Sequence, residues 1–221
     1  MGKKSYVNEI RIPENYDWVI FIILGCCALY IVMFNWLQRD PSLKNFILQK
    51  IDGSSNTFPN WIITSVCHTL LLSALLSQMV PTLPFVVDQF SVLGYSLNKF
   101  GFTFLVIGGL YFAKAIITFL FLHSVGAGKR WGRFFFTVTR FYFITSLLLI
   151  VANLAHYYYI PDKEFMLQLY VPILLGTVLF KVVFYVFHKN QILPQQWYYK
   201  FLYICTLQIA PILIAWRLLF I

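Results

Sequence analysis

The chain has 221 residues, of which 60% are hydrophobic, 19% aromatic and only 11% charged, with a formal net charge of +9. That composition lies far from soluble averages and excludes a water-soluble enzyme or a secreted module. Its apolar runs are continuous rather than alternating, which excludes an outer-membrane barrel, and its Lys and Arg residues sit in short connections beside those runs, where lipid phosphate rather than nucleic acid is the anion they meet.

The hydrocarbon core of a bilayer is about 30 Å thick and an α-helix rises about 1.5 Å per residue, so a span needs roughly 20 apolar residues. Residues 1–17 are polar, and no small-residue cleavage site follows the first apolar run, so no signal peptide is expected. The first span covers about residues 18–36, with Trp18 and Trp36 at its ends, where indole favours the interface. Asp40-Pro41 then opens a segment to Ile51 that is too short and too charged to span. Leu43, Phe46, Ile47 and Ile51 share one side of it, which predicts a short interfacial amphipathic helix at about 41–51.

The second span is expected at about 61–80, ended by Pro81 and Pro84, and the third at about 102–123. A basic, glycine-rich turn from Gly126 to Arg133 leads to the fourth, at about 134–158. The acidic connection Pro161 to Glu164 precedes the fifth, at about 166–188, and the sixth runs from about 197 to 220. Residues 1–221 thus read as one all-α, polytopic membrane domain of six transmembrane helices and one interfacial helix. The turn from Gly126 to Arg133, with Arg39, Lys44, Lys50, Lys189 and Lys200, marks one basic side, which would be cytoplasmic and leave both termini periplasmic; Lys3, Lys4 and Arg11 vote the other way. Cys26, Cys27, Cys67 and Cys205 all fall within spans and lack metal-type spacing, so they read as small apolar residues without disulfides.

An ionisable side chain at mid-bilayer costs about 2.5–3.5 kcal/mol on insertion scales, so each one needs a reason. Lys114 sits near the middle of the third span, with Tyr111 and Thr118 on the same helical face. Lys181 and Arg140 lie closer to the basic side and are expected to snorkel. No Asp or Glu falls inside a span, so a mid-membrane ion pair is unavailable. Polar packing between helices is the plainer reading of Lys114. The sharper one is a site for an anionic ligand or partner built from Lys114, Tyr111, Thr118, Arg140 and Lys181. Leu110 to Lys114 is faintly similar to Val178 to Lys181, more by biased composition than by duplication.

His68, His123, His156 and His188 raise bis-histidine haem ligation, but they are spread over both sides of the bundle and no Cys-x-x-Cys-His is present, so no cofactor and no metal are expected. Asn153 and Gln208 are expected to bond between helices, and Gly108-Gly109 to permit close helix contact. No phosphate loop, Ser-His-Asp set or zinc motif occurs.

The closing stretch Phe201 to Ile214, and within it Tyr203-Ile204-Cys205-Thr206-Leu207-Gln208-Ile209-Ala210-Pro211, resembles the characteristic end of an uncharacterised family of Bacteroidota membrane proteins catalogued as domain of unknown function 4271. Asp17-Trp18 and Arg39-Asp40-Pro41 are compatible with it, and the six-span pattern extends the resemblance over nearly the whole chain. The resemblance implies a Gram-negative inner-membrane protein and no established activity. It also marks Tyr203, Cys205, Thr206, Gln208 and Pro211 as a recognition or partner motif. That family's motif carries Glu where this sequence has Gln208, so a carboxylate that would pair with a membrane lysine is replaced by a neutral hydrogen-bonding group. Pro211 frees the carbonyl of Leu207.

The first functional expectation is a non-catalytic inner-membrane component or scaffold in envelope biogenesis or protein secretion, partnered by lipids and other envelope proteins. The second is a carrier for an anionic lipid or polyprenyl phosphate, held by Lys114 with Arg140 or Lys181. A membrane enzyme comes third.

Overall fold

The structure is a computed structural model that describes residues 17–37, 43, 46, 56–80, 91–92, 95–96, 98–159, 163–187 and 196–220. Six of its helices are long and apolar enough to cross a membrane. They are α1 (Asp17–Val32, prolonged by a π turn at Met33–Leu37), α2 (Thr57–Ser77) and α3 (Lys99–Ser124). Next come α4 (Trp131–Leu154, prolonged by a π turn at Ala155–Tyr159) and α5 (Lys163–Phe187). The last is α6 (Trp197–Phe220), in which a π turn at Ile204–Ile209 separates two α-helical parts. Between α2 and α3, Ser91–Val92 and Tyr95–Ser96 form a two-residue antiparallel pairing, Ser91 opposite Ser96 and Val92 opposite Tyr95.

Helix ends follow local chemistry. Asn56 takes the left-handed conformation at φ 58° that its short polar side chain tolerates, and its amide donates to the Leu37 carbonyl at 3.3 Å, tying the end of α1 to the start of α2. The helix then begins at Thr57, earlier than the apolar run alone predicts, because Pro59 in its first turn fits where no N–H partner is needed. Asn98 caps α3, its side-chain oxygen accepting from the Gly101 amide at 2.7 Å. At the other end Gly126, at φ 71°, breaks the helix, and the Ala127 amide closes back on the Leu122 carbonyl at 2.8 Å. A single 3-10 turn, Gly128–Arg130, leads straight into α4 at Trp131.

At the centre stands α2, packed against α4, α3 and α1, while α5 lies at the edge and meets the π turn of α6. One core gathers Val19, Ile23, Cys26, Met33, Leu71 and Phe143. Polar bonds stitch it across helices: the Asn153 amide donates to the Leu71 carbonyl at 3.0 Å, the Tyr157 hydroxyl to the Ala74 carbonyl at 2.9 Å, and Tyr30 meets the Ser146 hydroxyl. The interhelical role expected of Asn153 is therefore met. Cys26 and Cys67 are free thiols, each sulfur 4.0 Å from the other's carbonyl oxygen. A Cβ on Gly108 would touch the Thr69 methyl at 3.8 Å, whereas one on Gly109 would meet nothing, so only the first glycine serves the α2–α3 contact. Of the interfacial helix expected at about 41–51, Leu43 and Phe46 are described and helical; the rest lies outside the described residues. Phe46 is buried between Phe34 of α1 and Phe143 of α4, with ring centroids at 5.4 and 5.3 Å, and so reaches the protein core rather than the lipid.

Candidate functional site

Depth explains which polar residues meet. Counted from the helix ends on the Gly126–Arg133 side, Lys114 lies ten residues in from Ser124, and His68, Tyr142 and Gln208 lie eleven in from Thr57, Trp131 and Trp197. All four Cα atoms therefore stand roughly 15–16 Å deep at 1.5 Å per residue. Four different helices bring them to one level.

The Lys114 ammonium donates to Gln208 Oε1 at 2.8 Å, and Gln208 Nε2 donates to the Tyr203 hydroxyl at 3.2 Å. An ammonium only donates, so this contact fixes which end of the amide faces the lysine. Backbone geometry turns Gln208 toward Lys114, because within the π turn the Ala210 amide bonds to the Cys205 carbonyl, five residues back instead of four. Pro211 follows with no N–H to continue a regular ladder. Wide turns of this kind recur at functional sites because they re-aim a side chain without ending the helix. The interhelical bond expected of Gln208 is present, and its partner is Lys114.

On the other flank, His68 Nδ1 and the Tyr111 hydroxyl are 3.3 Å apart, and both rings stack against Tyr142, with centroids at 4.8 and 5.5 Å. Lys181 completes the group from α5. Its ammonium lies 4.5 Å from the Tyr142 ring centroid and 5.0 Å from that of Phe141, and the residue is only 6% exposed. The expectation that Lys181 snorkels to the surface is thus overturned. Helical side chains lean toward the helix N-terminus, and α5 runs toward the basic side, so Lys181 leans back into the bundle. There it gains cation–π contact, worth about 2 kcal/mol when desolvated. Lys114 and Lys181 border the same aromatic group: Gln208 links Lys114 to Tyr203, which packs on Tyr185 beside the Lys181 ammonium.

Tyr185 closes the ring of residues. It packs 6.4 Å from Tyr203, its ring lies 5.8 Å from the Lys181 ammonium, and its buried hydroxyl has no hydrogen-bond partner among the described residues. Lys114 is half-buried and so opens on the lipid side, while Tyr203 and Gln208 are buried behind it. The acidic residues among those described are Asp17 and Glu164, in the first turns of α1 and α5.

Other candidates stand apart. Thr118 spends its hydroxyl on the Lys114 carbonyl at 2.7 Å. Arg140 lays its guanidinium over Phe136 of its own helix at 3.9 Å. Thr206 is exposed and bonds the Leu202 carbonyl at 2.7 Å, Cys205 is half-buried, and Pro211 acts through the backbone. His123 is exposed beside Phe119, His156 is buried beside Tyr157 and Tyr170, and His188 lies outside the described residues. No group of three or more His, Cys, Asp or Glu suited to a metal occurs among the described residues. Sequence reasoning missed His68, Tyr142 and Tyr185. Matching depth from the basic side was the available signal for the first two.

The closing motif and the six spans belong together in one further observation: the sequence model of the family described as Domain of unknown function (DUF4271) matches residues 18–219. The chain belongs to this family. No curated protein and no solved structure matches it. In this DUF4271 protein the closing motif divides by side: Tyr203 and Gln208 face the lysines, and Thr206 faces outward.

Proposed function

We propose that this multi-pass membrane protein binds the phosphate headgroup of an anionic lipid or polyprenyl phosphate within its bundle. One observation carries the reading: Lys114 and Lys181 converge in the apolar interior, and the nearest acidic residue on their own helices, Glu164, is seventeen residues from Lys181 along α5, about 25 Å away. Two cations without a counter-charge among the described residues are costly in such surroundings, and an anionic ligand removes that cost. The half-exposed Lys114 gives a headgroup sideways access from the bilayer, and the exposed Phe112, Ile116 and Leu120 of α3 offer a surface to its tails. Native mass spectrometry of the protein extracted in mild detergent tests this. An anionic lipid held by the wild type and lost from Lys114→Met is expected; equal retention by both would sink the reading.

The site suits a protein of a Gram-negative inner membrane with the basic turn on the cytoplasmic side, both termini periplasmic, and reporter fusions at the C-terminus check the orientation. A second reading, a scaffold for envelope assembly or secretion, draws on the exposed apolar face of α5, including Leu175, Leu179 and Phe180. A stoichiometric protein partner in the same spectra would favour it.

A further inference from the structure

The ring of residues around Lys114 is unbalanced in both charge and hydrogen bonding. Gln208 accepts from Lys114 with one neutral oxygen, which leaves the ammonium's other donors unspent among the described residues. Lys181 touches aromatic faces and has no oxygen acceptor among the described residues. The Tyr185 hydroxyl, in a residue only 2% exposed, has no partner among the described residues. Tyr111 and Tyr203, by contrast, are engaged with His68 and Gln208. What is missing is therefore an acceptor carrying two negative charges, with no need of donors.

Groups facing Lys181 do not supply it. Tyr142 from α4, His68 from α2, Tyr203 from α6 and Tyr185 of its own helix carry no acid, and Lys114 from α3 adds a like charge.

We infer that the headgroup held between Lys114 and Lys181 is a phosphate monoester rather than a phosphodiester. This rests on the reading of the site as an anion site and narrows it. A monoester carries about −1.5 to −2 at neutral pH and presents three terminal oxygens. Those oxygens match the two ammonium groups and the Tyr185 hydroxyl. A phosphodiester brings one charge and two free oxygens, which leaves one lysine uncompensated in apolar surroundings. Lys181 is then the residue that tells the two headgroups apart, and Lys114, at the opening, meets both.

The test uses the full chain in mild detergent with phosphatidate and phosphatidylglycerol of identical acyl chains as probes and native mass spectrometry as readout. Wild type retains phosphatidate over phosphatidylglycerol by at least about tenfold, a conservative figure for one uncompensated charge. Lys181→Met brings that ratio to about one by weakening phosphatidate alone, Lys181→Arg keeps the preference, and Lys114→Met loses both lipids. Displacement of phosphatidate by inorganic phosphate assigns the affinity to the headgroup; resistance to it assigns a share to the tails, and either supports the monoester. Equal retention of the two lipids by the wild type overturns this inference and leaves the anion site standing. Retention of neither overturns both. The wild-type comparison decides even if a lysine variant fails to fold.

Discussion

The core around α1, α2 and α4 and the cluster where α3, α5 and α6 meet α4 use the same kinds of residue for opposite ends. In the first, Asn153, Tyr157 and Tyr30 each find a partner on another helix, and the polar atoms cross-link the bundle. In the second, tyrosines crowd just as closely, yet Lys181 and the Tyr185 hydroxyl have no acceptor among the described residues and Lys114 has only an amide oxygen. Buried polar groups that are satisfied hold a fold together, whereas groups left wanting lower its stability and persist where a ligand completes them. On the proposed reading, that difference marks the binding site.

The sharpest break of that contrast puts an unneeded charge into the cross-linked core. Asn153→Asp sets a carboxylate against the Leu71 and Leu149 carbonyls in a residue with no exposure, and a loss of about 3 kcal/mol or more is expected, seen as failure to accumulate in the membrane. Removing a charge from the unsatisfied cluster does the reverse. Lys114→Met is expected to leave thermal unfolding unchanged or raise stability by about 1–2 kcal/mol while abolishing lipid retention. Gln208→Glu sharpens the comparison by supplying the missing acid: it pairs with Lys114, raises the melting temperature in a thermal scan and lowers anionic-lipid retention several-fold. Pro211→Ala restores a backbone donor after the π turn, so stability rises by about 1 kcal/mol and the Lys114–Gln208 bond is lost, visible as reduced retention at higher melting temperature. Thr206→Val, on the outer side of the same motif, stays within about 0.5 kcal/mol in unfolding and does not alter retention.

Span number and order were legible in the sequence because length and hydrophobicity alone decide whether a segment crosses a bilayer. Which way a residue faces was harder to read. Helix α1 is apolar all round, so nothing in its pattern separates lipid from protein. Lys114 stood out because it is a charge at mid-span, and the resemblance of the closing stretch drew attention to Gln208, whose contact with Lys114 the structure contains. Lys181 was misjudged because distance from a helix end says nothing about lean, and lean depends on chain direction. Tyr142 and Tyr185 were hidden among 14 tyrosines, as their meaning comes only from the rings stacked beside them. The faint similarity between Leu110–Lys114 and Val178–Lys181 does mark the two lysines that converge, whatever its origin.

Helices α3 and α5 are each far less buried than α2, yet they deliver the two lysines. If the proposed ligand bridges Lys114 and Lys181, it would bind only the form with α5 docked and would favour that form by mass action. On the proposed reading, a bound headgroup would act as a clasp between α5 and the rest of the bundle, and a membrane depleted of it would leave that span free to exchange neighbours.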